Sequence, residues 1–311
     1  MTINDYTHDF ILGTGIAGLI LGIENPDYYL IGKDKGQVQG KYSLGPRIIQ
    51  YSKEMESFLK DLGFNIEIDN VKVGYEYQNN IYDHLDNTPI DFREKYSLFT
   101  RGKKEYEASF LSGGQNTIKV ISLDGQGPHN SFIYLADKLY EILQNENRIL
   151  EQNIISVDPG SEVLVLDNGP LRFNNIISTL SQKIFQKLSP GFLKPDKLEM
   201  KVKNFLVTEY KGEKPLYFYT YGVETYSRRT IFDDYQVLEF PGEKYFNSID
   251  EGDIIEVDGE KVQVLAKVSL PVQIKDSLKL TEHPHNPKIK FRGRFAEWNH
   301  GVLINDLLKT Y

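Results

Sequence analysis

A glycine-rich segment near the N-terminus has the spacing of a dinucleotide-binding turn. Gly13, Gly15 and Gly18 follow a short apolar run at 9–12 and precede residues with the apolar periodicity of a helix. In such a turn the first glycine permits the bend, the second lets a pyrophosphate approach the backbone, and the third lets the helix lie close to the sheet. The helix N-terminus then offers N–H groups and a partial positive charge to the phosphates. The residues predicted to bind the dinucleotide are Gly13, Gly15, Ile16, Ala17 and Gly18. The alternative is a glycine-rich turn that binds no ligand.

The position that normally recognises the ribose of a dinucleotide carries no acid. A second buried strand is predicted at 28–31, and an acidic residue usually ends this strand and binds the ribose hydroxyls. Here Gly32 and Lys33 occupy the strand end, and the nearest acid is Asp34. Either Asp34 reaches back to the ribose, or it is a solvated loop charge and the ribose is held less directly.

A second segment with ligand-binding character lies close to the C-terminus. The stretch 291–301 contains two glycines, two arginines and the only tryptophan, and it precedes an apolar pattern at 302–308 that predicts a helix. A strand end followed by a glycine and a helix N-terminus is a further place for an anion, and a tryptophan ring can pack against a planar ligand. The alternative is a capped C-terminal helix with Trp298 in the core.

Two adjacent arginines form a candidate anion site in an otherwise acidic chain. Arg228 and Arg229 lie in a charged, aromatic stretch within a region at 200–282 that has the pattern of β-strands. Because neighbouring residues on a strand point to opposite faces, one of the two side chains is expected to line a pocket.

The elements that must position these segments follow from the apolar periodicity. A stripe from Met55 to Leu62, ended by Gly63, predicts a helix, and alternating apolar residues predict strands from about 66 to 112. A further amphipathic helix has apolar positions between 132 and 143. Its expected N-cap is Asn130 or Ser131.

Hairpins are the other local feature that the sequence predicts. Asn168-Gly169 turns a hairpin at 163–173, and a buried strand follows at 175–178. Asp258-Gly259 turns a second hairpin in the β-rich region. The strands and helices interleave along the chain, which is typical of an α/β protein without a single domain boundary.

Composition excludes several classes of function. The 311 residues include 36 Lys and Arg against 44 Asp and Glu, a net charge of −8, without the basic clusters that bind a nucleic-acid backbone. The absence of cysteine excludes disulfides, thiolate metal sites and thiol nucleophiles. No Walker A sequence or Gly-x-Ser-x-Gly elbow occurs, which argues against P-loop nucleotide hydrolysis and against a serine hydrolase. The six histidines form no i,i+4 pair, so no metal site is predicted. No apolar run approaches the ~18 residues of a membrane span, and a soluble cytoplasmic protein is expected.

The order of these motifs resembles that of the flavoproteins related to amine oxidases and UDP-galactopyranose mutase. The resemblance covers roughly 1–60, 130–182 and 285–311. Three segments of the mutase are echoed in this chain, namely by Gly45–Gln50, Tyr226–Arg228 and Gly293–Trp298.

The resemblance implies an α/β fold in which a Rossmann-like FAD-binding domain of the glutathione-reductase type is interleaved with a smaller, β-rich substrate domain. The FAD-binding domain would comprise 1–60, 130–182 and 285–311, and the substrate domain would comprise 61–129 and 183–284. FAD is favoured over NAD as the cofactor, because a nicotinamide domain has no need of a distant chain end over its ring.

The resemblance also implies roles for individual residues. Ile154 and Ile155 would flank the adenine, Arg294 and the turn at 299–302 would lie beside the pyrophosphate and the isoalloxazine, and Arg228 would lie near the substrate mouth. The cofactor-binding residues implied in this C-terminal segment are Gly293, Arg294, Trp298, Asn299, Gly301 and Val302.

The departures from the mutase pattern concern the flavin side of the site. Both histidines of the mutase motif are replaced, by Arg47 and Gln50, which argues against mutase activity itself. Arg47 would stabilise a reduced anionic flavin or clamp a carboxylate or phosphate, unless it is a structural salt-bridge residue. His300 is either a proton-transfer group near the flavin or a polar side chain at a helix N-terminus. The catalytic candidates are therefore Arg47, Arg228 and His300.

These observations predict an FAD-dependent enzyme that oxidises, eliminates or isomerises a polar small molecule, either anionic or amine-bearing. A second hypothesis is tailoring of a nucleotide or a modified nucleobase, based on the arginines and the aromatic-rich insert. A third is a non-catalytic dinucleotide-binding scaffold, based on the missing ribose acid and the missing flavin-side histidine. The expected partner is a small-molecule substrate. No membrane is expected as a partner, and the oligomeric state is left open.

Overall fold

A computed structural model gives the fold of the chain. It describes residues 7–33, 42, 44, 48–78, 80–100, 117–191, 200–212, 219–222, 226–232, 234–240, 244–257, 259–274, 278–297 and 304–308. Strands and helices are numbered in chain order within these ranges.

The described elements are mostly strands. The strands are β1 His8–Leu12, β2 Tyr28–Ile31, β3 Ile49–Gln50, β4 Ile66–Tyr77, β5 Asn80–Tyr82, β6 Thr117–Leu123, β7 Ile149–Leu150, β8 Ile154–Asp158, β9 Val163–Leu166, β10 Gly169–Ser178, β11 Met200–Glu209, β12 Tyr219–Gly222, β13 Arg228–Ile231, β14 Tyr235–Phe240, β15 Ile254–Val257, β16 Glu260–Ile274, β17 Glu282–His283 and β18 Asn286–Phe291. The α-helices are α1 Ile16–Glu24, α2 Lys53–Asp61, α3 Ile90–Thr100, α4 Gly127–Asn145, α5 Gln182–Leu188 and α6 Lys244–Asn247. Two short 3-10 helices span Leu85–Asn87 and Ile304–Leu308.

Five parallel strands form the centre of the first sheet, in the order β7, β2, β1, β10 and β18. Strand β17 adds an antiparallel edge, and β8 and β9 form an antiparallel meander with β10. The central strand β1 contributes three fully buried residues, Phe10, Ile11 and Leu12, as expected for a parallel strand covered on both faces. The carboxyl ends of β1, β2 and β10 meet at one edge, which is where open α/β sheets bind ligands.

The two faces of this sheet are covered by different elements. Leu19 of α1 and Leu139 of α4 pack with Ile11 on one face. Leu164 of the meander packs with Leu12 on the other face. The arrangement confirms the predicted α/β class and the predicted strand, glycine turn, helix and strand at the N-terminus.

The second sheet has ten strands in the described part of the chain, in the order β15, β16, β11, β14, β13, β12, β4, β6 and β3, with β5 paired to β4. Its pairs are antiparallel except for β4 with β12. It therefore has more strands than the first sheet, which has eight. Strand β3 belongs to this second sheet, whereas the sequence-based division places 1–60 with the FAD-binding domain. The domain division stays a prediction.

One stretch predicted as strand is helical. Residues 66–77 form β4, whose Val71, Val73 and Tyr75 are buried as predicted, but α3 occupies 90–100. Phe92 and Tyr96 are four residues apart, and their rings stack with centroids 5.5 Å apart. This helical pair packs on the aromatic face of β4, so a contact with a distant strand decides the local structure.

Two predicted helix boundaries are corrected. Helix α4 begins at Gly127, with Pro128 in its first turn and Gln126 as its N-cap, so neither Asn130 nor Ser131 caps it. Ser131 lies inside the helix, where its Oγ accepts a hydrogen bond from the backbone N–H of Leu123 at 2.9 Å. The C-terminal apolar pattern forms a 3-10 helix at 304–308 within the described residues, and residues 302 and 303 lie outside them.

No helix in the described ranges is both long enough and apolar enough to cross a membrane.

The Asp124 carboxylate ties the second sheet to α4. It accepts hydrogen bonds from the backbone N–H of Asn65 at 2.9 Å and from the Tyr134 hydroxyl at 3.1 Å. The Asn65 bond is the main cause that lowers the pKa of Asp124 below its ordinary value. A lowered pKa in the folded state stabilises the fold above the unfolded pKa, and this stabilisation is lost as pH falls through the folded value.

We therefore expect Asp124→Asn, which tolerates the positive φ of 47° at this position, to lower Tm by about 2 °C at neutral pH. Calorimetry from neutral pH down to pH 3 measures the effect. The difference from wild type should shrink as the pH falls, because protonation removes the same charge from the wild-type protein. A Tm difference that is independent of pH would contradict this account.

Candidate functional site

The glycine turn lies at the carboxyl end of β1, as predicted. The Gly13 N–H donates to the Ile31 carbonyl at 2.8 Å, and its φ of +109° is a conformation that glycine adopts at low cost. A β-carbon at Gly13 would lie 2.6 Å from Thr179 Oγ1 and 3.3 Å from the Leu180 side chain. The residues that directly follow β10 therefore lie against this turn, and only glycine fits there.

Gly18 brings the helix onto the turn. A β-carbon at Gly18 would overlap the Gly13 carbonyl group, with the carbonyl carbon at 2.9 Å and Thr179 Oγ1 at 3.3 Å. The third glycine thus has the role that the sequence predicts, because it lets α1 approach the end of β1 closely.

The N-terminus of α1 is suited to an anion. The helix has nine residues and begins after Gly15, an extended N-cap with φ of −68° and ψ of 172°. The N-cap Gly15 makes no side-chain cap, and the first turn of the helix contains no acid, so within this helix no carboxylate competes with a bound anion. Its N–H groups and its dipole place partial positive charge at the ligand-binding edge of the sheet.

The C-terminal segment reaches the same turn. After β18 the Arg292 N–H donates to the Ser178 carbonyl at 3.0 Å, which joins this segment to the end of β10. Gly293 has φ of +93°, and a β-carbon there would lie 3.3 Å from Cβ of Ala17. Of the C-terminal residues predicted to bind the cofactor, Gly293 thus lies against the first turn of α1, with Arg294 next in sequence.

A carboxyl group that the sequence analysis did not single out lies in this segment. Glu297 accepts a hydrogen bond from the Gly293 N–H at 3.0 Å, and its own N–H donates to the Gly293 carbonyl at 2.9 Å. Burial raises the pKa of Glu297, although the bond from Gly293 acts in the opposite direction. These bonds fix the turn that carries Gly293 and Arg294.

The predicted adenine side lies where the meander begins. Ile154 is half-buried and packs on the cluster that covers the sheet, whereas Ile155 is 56 % exposed. The two side chains alternate along β8, so they face different surroundings. Asp167, in the hairpin between β9 and β10, lies close by, and its Oδ2 is 3.5 Å from Lys33 Nζ.

The second sheet contains a buried carboxylate between two cations, which we call the Glu239 triad: Lys203, Arg228 and Glu239. Glu239 is fully buried, and its carboxylate lies 2.7 Å from Lys203 Nζ and accepts from Arg228 Nε at 2.6 Å. The Lys203 and Arg228 side chains remain about one third exposed. The formal charges of these three side chains sum to +1, one carboxylate against two cations.

Arg229 lies on the opposite face of β13 from Arg228, as the alternation predicts. Its Nε donates to the Gln236 side chain at 2.6 Å. On that face the Tyr226 hydroxyl donates to Glu76, and burial is the main cause that raises the pKa of Tyr226 well above its ordinary value. Tyr226 is therefore a neutral hydrogen-bond donor across the usual pH range.

Several predicted site residues lie outside the described residues, and their roles stay predictions. They are Asp34, Arg47, Trp298, Asn299, His300, Gly301 and Val302. Among the described residues no group of His, Cys, Asp or Glu could hold a metal ion.

Glu239 differs from its neighbours in a way that is visible in the sequence. Residues 235–240 are all buried, and Glu239 is the one charged residue in that run. A charge in a buried strand requires a counter-ion, so its presence alone indicates an ionic cluster. Lys203 carries no comparable signal, because only the pairing of β11 with β14 brings it to Glu239.

Comparisons with known proteins show the fold of this chain. No family model and no curated protein sequence matches it. A structure of reduced UDP-galactopyranose mutase matches with a TM-score of 0.64 at 13% identity, over 97% of this chain and 93% of that one. A variant of putrescine oxidase matches with a TM-score of 0.55 at 10% identity, over 78% of each chain. A flavin-dependent halogenase from Xanthomonas campestris matches with a TM-score of 0.52 at 14% identity, over 97% of this chain and 69% of that one.

These similarities confirm at the level of fold the resemblance to flavoproteins that the sequence motifs suggest. The match to the mutase extends over nearly the whole of both chains, so it includes the second sheet as well as the glycine turn. At such low identity the shared property is the fold.

Proposed function

We propose that this chain is an FAD-dependent enzyme that binds its cofactor at the glycine turn between β1 and α1. The observation that carries the proposal is that three glycines make close approaches around one helix N-terminus: Gly18 to the Gly13 carbonyl group, Gly13 to the Thr179 side chain, and Gly293 to Cβ of Ala17. The third approach favours FAD over a nicotinamide cofactor, because it brings a segment from the far end of the chain to the nucleotide site. A flavin-dependent halogenase among the structural neighbours supports the same choice.

The residues present fit a bound dinucleotide. The turn is a cradle that β-carbons would fill, and uncapped N–H groups lie at its base. Two buried polar atoms nearby, Ser178 Oγ at the end of β10 and Gln182 Oε1 at the start of α5, have no hydrogen-bond partner within the described residues. Ser178 pairs in register with Leu12 and with Phe291, so it lies at the ligand-binding edge.

Each part of this site has a definite task in the proposal. The N–H groups from Gly15 to Gly18 bind the pyrophosphate, and the turn at Gly293 and Arg294 closes over it. A bound flavin supplies hydride or one-electron transfer, while the protein supplies orientation and electrostatics. Buried apolar residues of β1 and β10 exclude water from the base of the site.

We further propose that the substrate is a polar small molecule with an anionic group, which the Glu239 triad attracts. The two cations of the triad are partly exposed, and the buried carboxylate fixes them in position. The prediction that Arg228 lies near the substrate is retained here, with Lys203 as its partner. A net positive cluster in a chain of net charge −8 focuses an anion on this part of the surface.

The reaction class is tested by comparing oxidised and reduced enzyme with candidate anionic and amine-bearing substrates. An oxidase turns over in the oxidised state and consumes dioxygen. A redox-neutral isomerase or lyase that needs electron-rich flavin turns over only after reduction. A holoenzyme that binds FAD, photoreduces and still turns over no substrate in either state would favour a binding scaffold and contradict the proposal.

The role of the triad gives a prediction with a definite sign. Glu239→Gln keeps an oxygen that can accept hydrogen bonds from Lys203 and Arg228 but raises the charge of the triad from +1 to +2, so affinity for sodium pyrophosphate, used as an anion probe, should rise about fivefold. Arg228→Gln should lower that affinity by a similar factor. The flavin absorption difference spectrum during a pyrophosphate titration measures both changes.

The matched control for this prediction is Arg229→Gln. It removes the same charge from the adjacent residue on the opposite face of β13 and should leave pyrophosphate affinity unchanged. Equal effects of the Arg228 and Arg229 substitutions would show a general charge effect and would contradict a specific anion site.

A further inference from the structure

The end of β2 has no room for the acid that usually binds the adenosine ribose. A β-carbon at Gly32 would overlap Thr14 Oγ1 and would lie 3.1 Å from both Cγ2 and the backbone nitrogen of Thr14. Thr14 is only 2 % exposed, so its side chain is held in this space. Gly32 does not have a positive φ, which means that the obstacle is the Thr14 side chain and not the backbone conformation.

A different carboxylate lies beside the same sheet edge. Asp167 belongs to the hairpin between β9 and β10, and its Oδ2 accepts from the Asn153 backbone N–H at 3.3 Å and from Asn153 Nδ2 at 3.1 Å. Lys33, which directly follows Gly32, lies 3.5 Å from the same oxygen. The Gly32 N–H donates to the Leu150 carbonyl at 3.2 Å, so the ends of β2 and β7 meet where this carboxylate lies.

The carboxylate is oriented, and one of its oxygens is available. All three contacts converge on Oδ2, whereas Oδ1 accepts no hydrogen bond from the described part of the chain. The side chain is 37% exposed, so a ligand has access to it. A fixed carboxylate with an accessible oxygen is the group that accepts hydrogen bonds from vicinal hydroxyls.

We propose that Asp167, positioned by Asn153 and Lys33, replaces the β2-terminal acid and recognises the ribose hydroxyls of the FAD adenosine. This inference rests on the proposed function. The acid comes from the meander, 135 residues after Gly32, and Thr14 fills the space that the usual acid would occupy.

The charge at this position also argues for hydroxyls and against a 2′-phosphate. Glycine followed by a lysine at the end of β2 would suit a phosphorylated ribose, because the lysine would pair with the phosphate. Here Lys33 already lies beside Asp167, and the carboxylate would repel a phosphate at the same place. A ribose with free hydroxyls meets no such repulsion.

The test measures binding with and without the hydroxyls. Apoprotein is titrated with FAD, with ADP and with 2′,3′-dideoxy-ADP, and tryptophan fluorescence or calorimetry gives each Kd. Wild type should bind ADP about tenfold more tightly than the dideoxy compound, and Asp167→Ala should abolish this ratio and weaken FAD binding about tenfold. The ratio of the two ADP affinities is unaffected by a general loss of stability, so it separates recognition from folding.

Controls and contrary outcomes are distinct for the inference and for the proposed function. Asp61→Asn, an exposed acid on α2, should leave all three affinities unchanged. If the affinity ratio between ADP and 2′,3′-dideoxy-ADP is unchanged in Asp167→Ala, the ribose assignment is overturned, while the proposal that the protein binds FAD stands. NADPH binding that is tighter than FAD binding and strengthens in Asp167→Ala would overturn it in favour of a 2′-phosphate at Lys33. A wild-type protein that binds no FAD would instead overturn the proposed function.

Discussion

Gly18→Ala is expected to weaken FAD binding strongly while leaving most of the fold in place. The added β-carbon would overlap the Gly13 carbonyl group, which is backbone and cannot rotate away as a flexible side chain can. The turn must open to relieve this overlap, and α1 then moves off the end of β1. We expect FAD affinity to fall on the order of 100-fold. Titration of apoprotein with FAD measures the loss.

Two further glycines provide matched controls for that substitution. Gly22→Ala adds the same methyl group to the same helix, where the three nearest atoms belong to the ends of the Leu30 and Leu143 side chains. It should lower stability without changing FAD affinity. Gly160→Ala lies in the turn between β8 and β9, where Asp158 Oδ1 at 3.4 Å is the nearest described atom beyond the chain neighbours, and it should change neither property. Equal losses of FAD affinity in Gly18→Ala and Gly22→Ala would contradict a phosphate site at the turn.

Arg148→Ala is expected to cause the largest loss of stability among single substitutions outside the apolar core. The guanidinium of Arg148 donates to the carbonyls of Gly22 at 2.5 Å, Asn25 at 2.6 Å and Tyr28 at 3.0 Å. It thereby joins the C-terminus of α1 to the start of β2, from a position just before β7, and its side chain is only 11% exposed. A cation at a helix C-terminus is also favoured by the dipole.

Removing this side chain takes a donor from three carbonyl groups, of which that of Asn25 keeps the Tyr28 N–H at 3.1 Å. We expect the free energy of unfolding to fall by about 3 kcal/mol, measured by urea denaturation. Arg148→Lys keeps the charge but has one donor atom instead of a fork, so an intermediate loss is expected. Arg172→Ala, an exposed arginine on β10, is the control and should cost less than about 0.5 kcal/mol. Similar losses for Arg148→Ala and Arg172→Ala would contradict this role.

The N-terminal unit could be predicted from the sequence because its determinants are local. The apolar strand, the three glycines and the helical stripe lie within 9–24, and each element requires only its neighbours along the chain. The hairpin at Asn168-Gly169 follows for the same reason, and the structure places β9 and β10 on either side of it.

The elements that the sequence did not predict depend on contacts between distant residues. Helix α3 has an aromatic pattern that is compatible with a strand, and it is the packing of Phe92 and Tyr96 on β4 that favours the helix. The Glu239 triad requires strands β11, β13 and β14 to pair in one register. The ribose acid is the same kind of case, since an Asp-Asn-Gly sequence indicates only a turn until the fold brings Asp167 to Lys33.

The central claim is that the turn between β1 and α1 binds FAD. The most direct test is the visible absorption spectrum of the purified protein, followed by denaturation and identification of any yellow cofactor released. The account predicts an oxidised-flavin spectrum and release of FAD, with the same spectrum restored when FAD is added to apoprotein. A colourless protein that also takes up no added FAD would contradict the claim and leave the fold without its proposed cofactor.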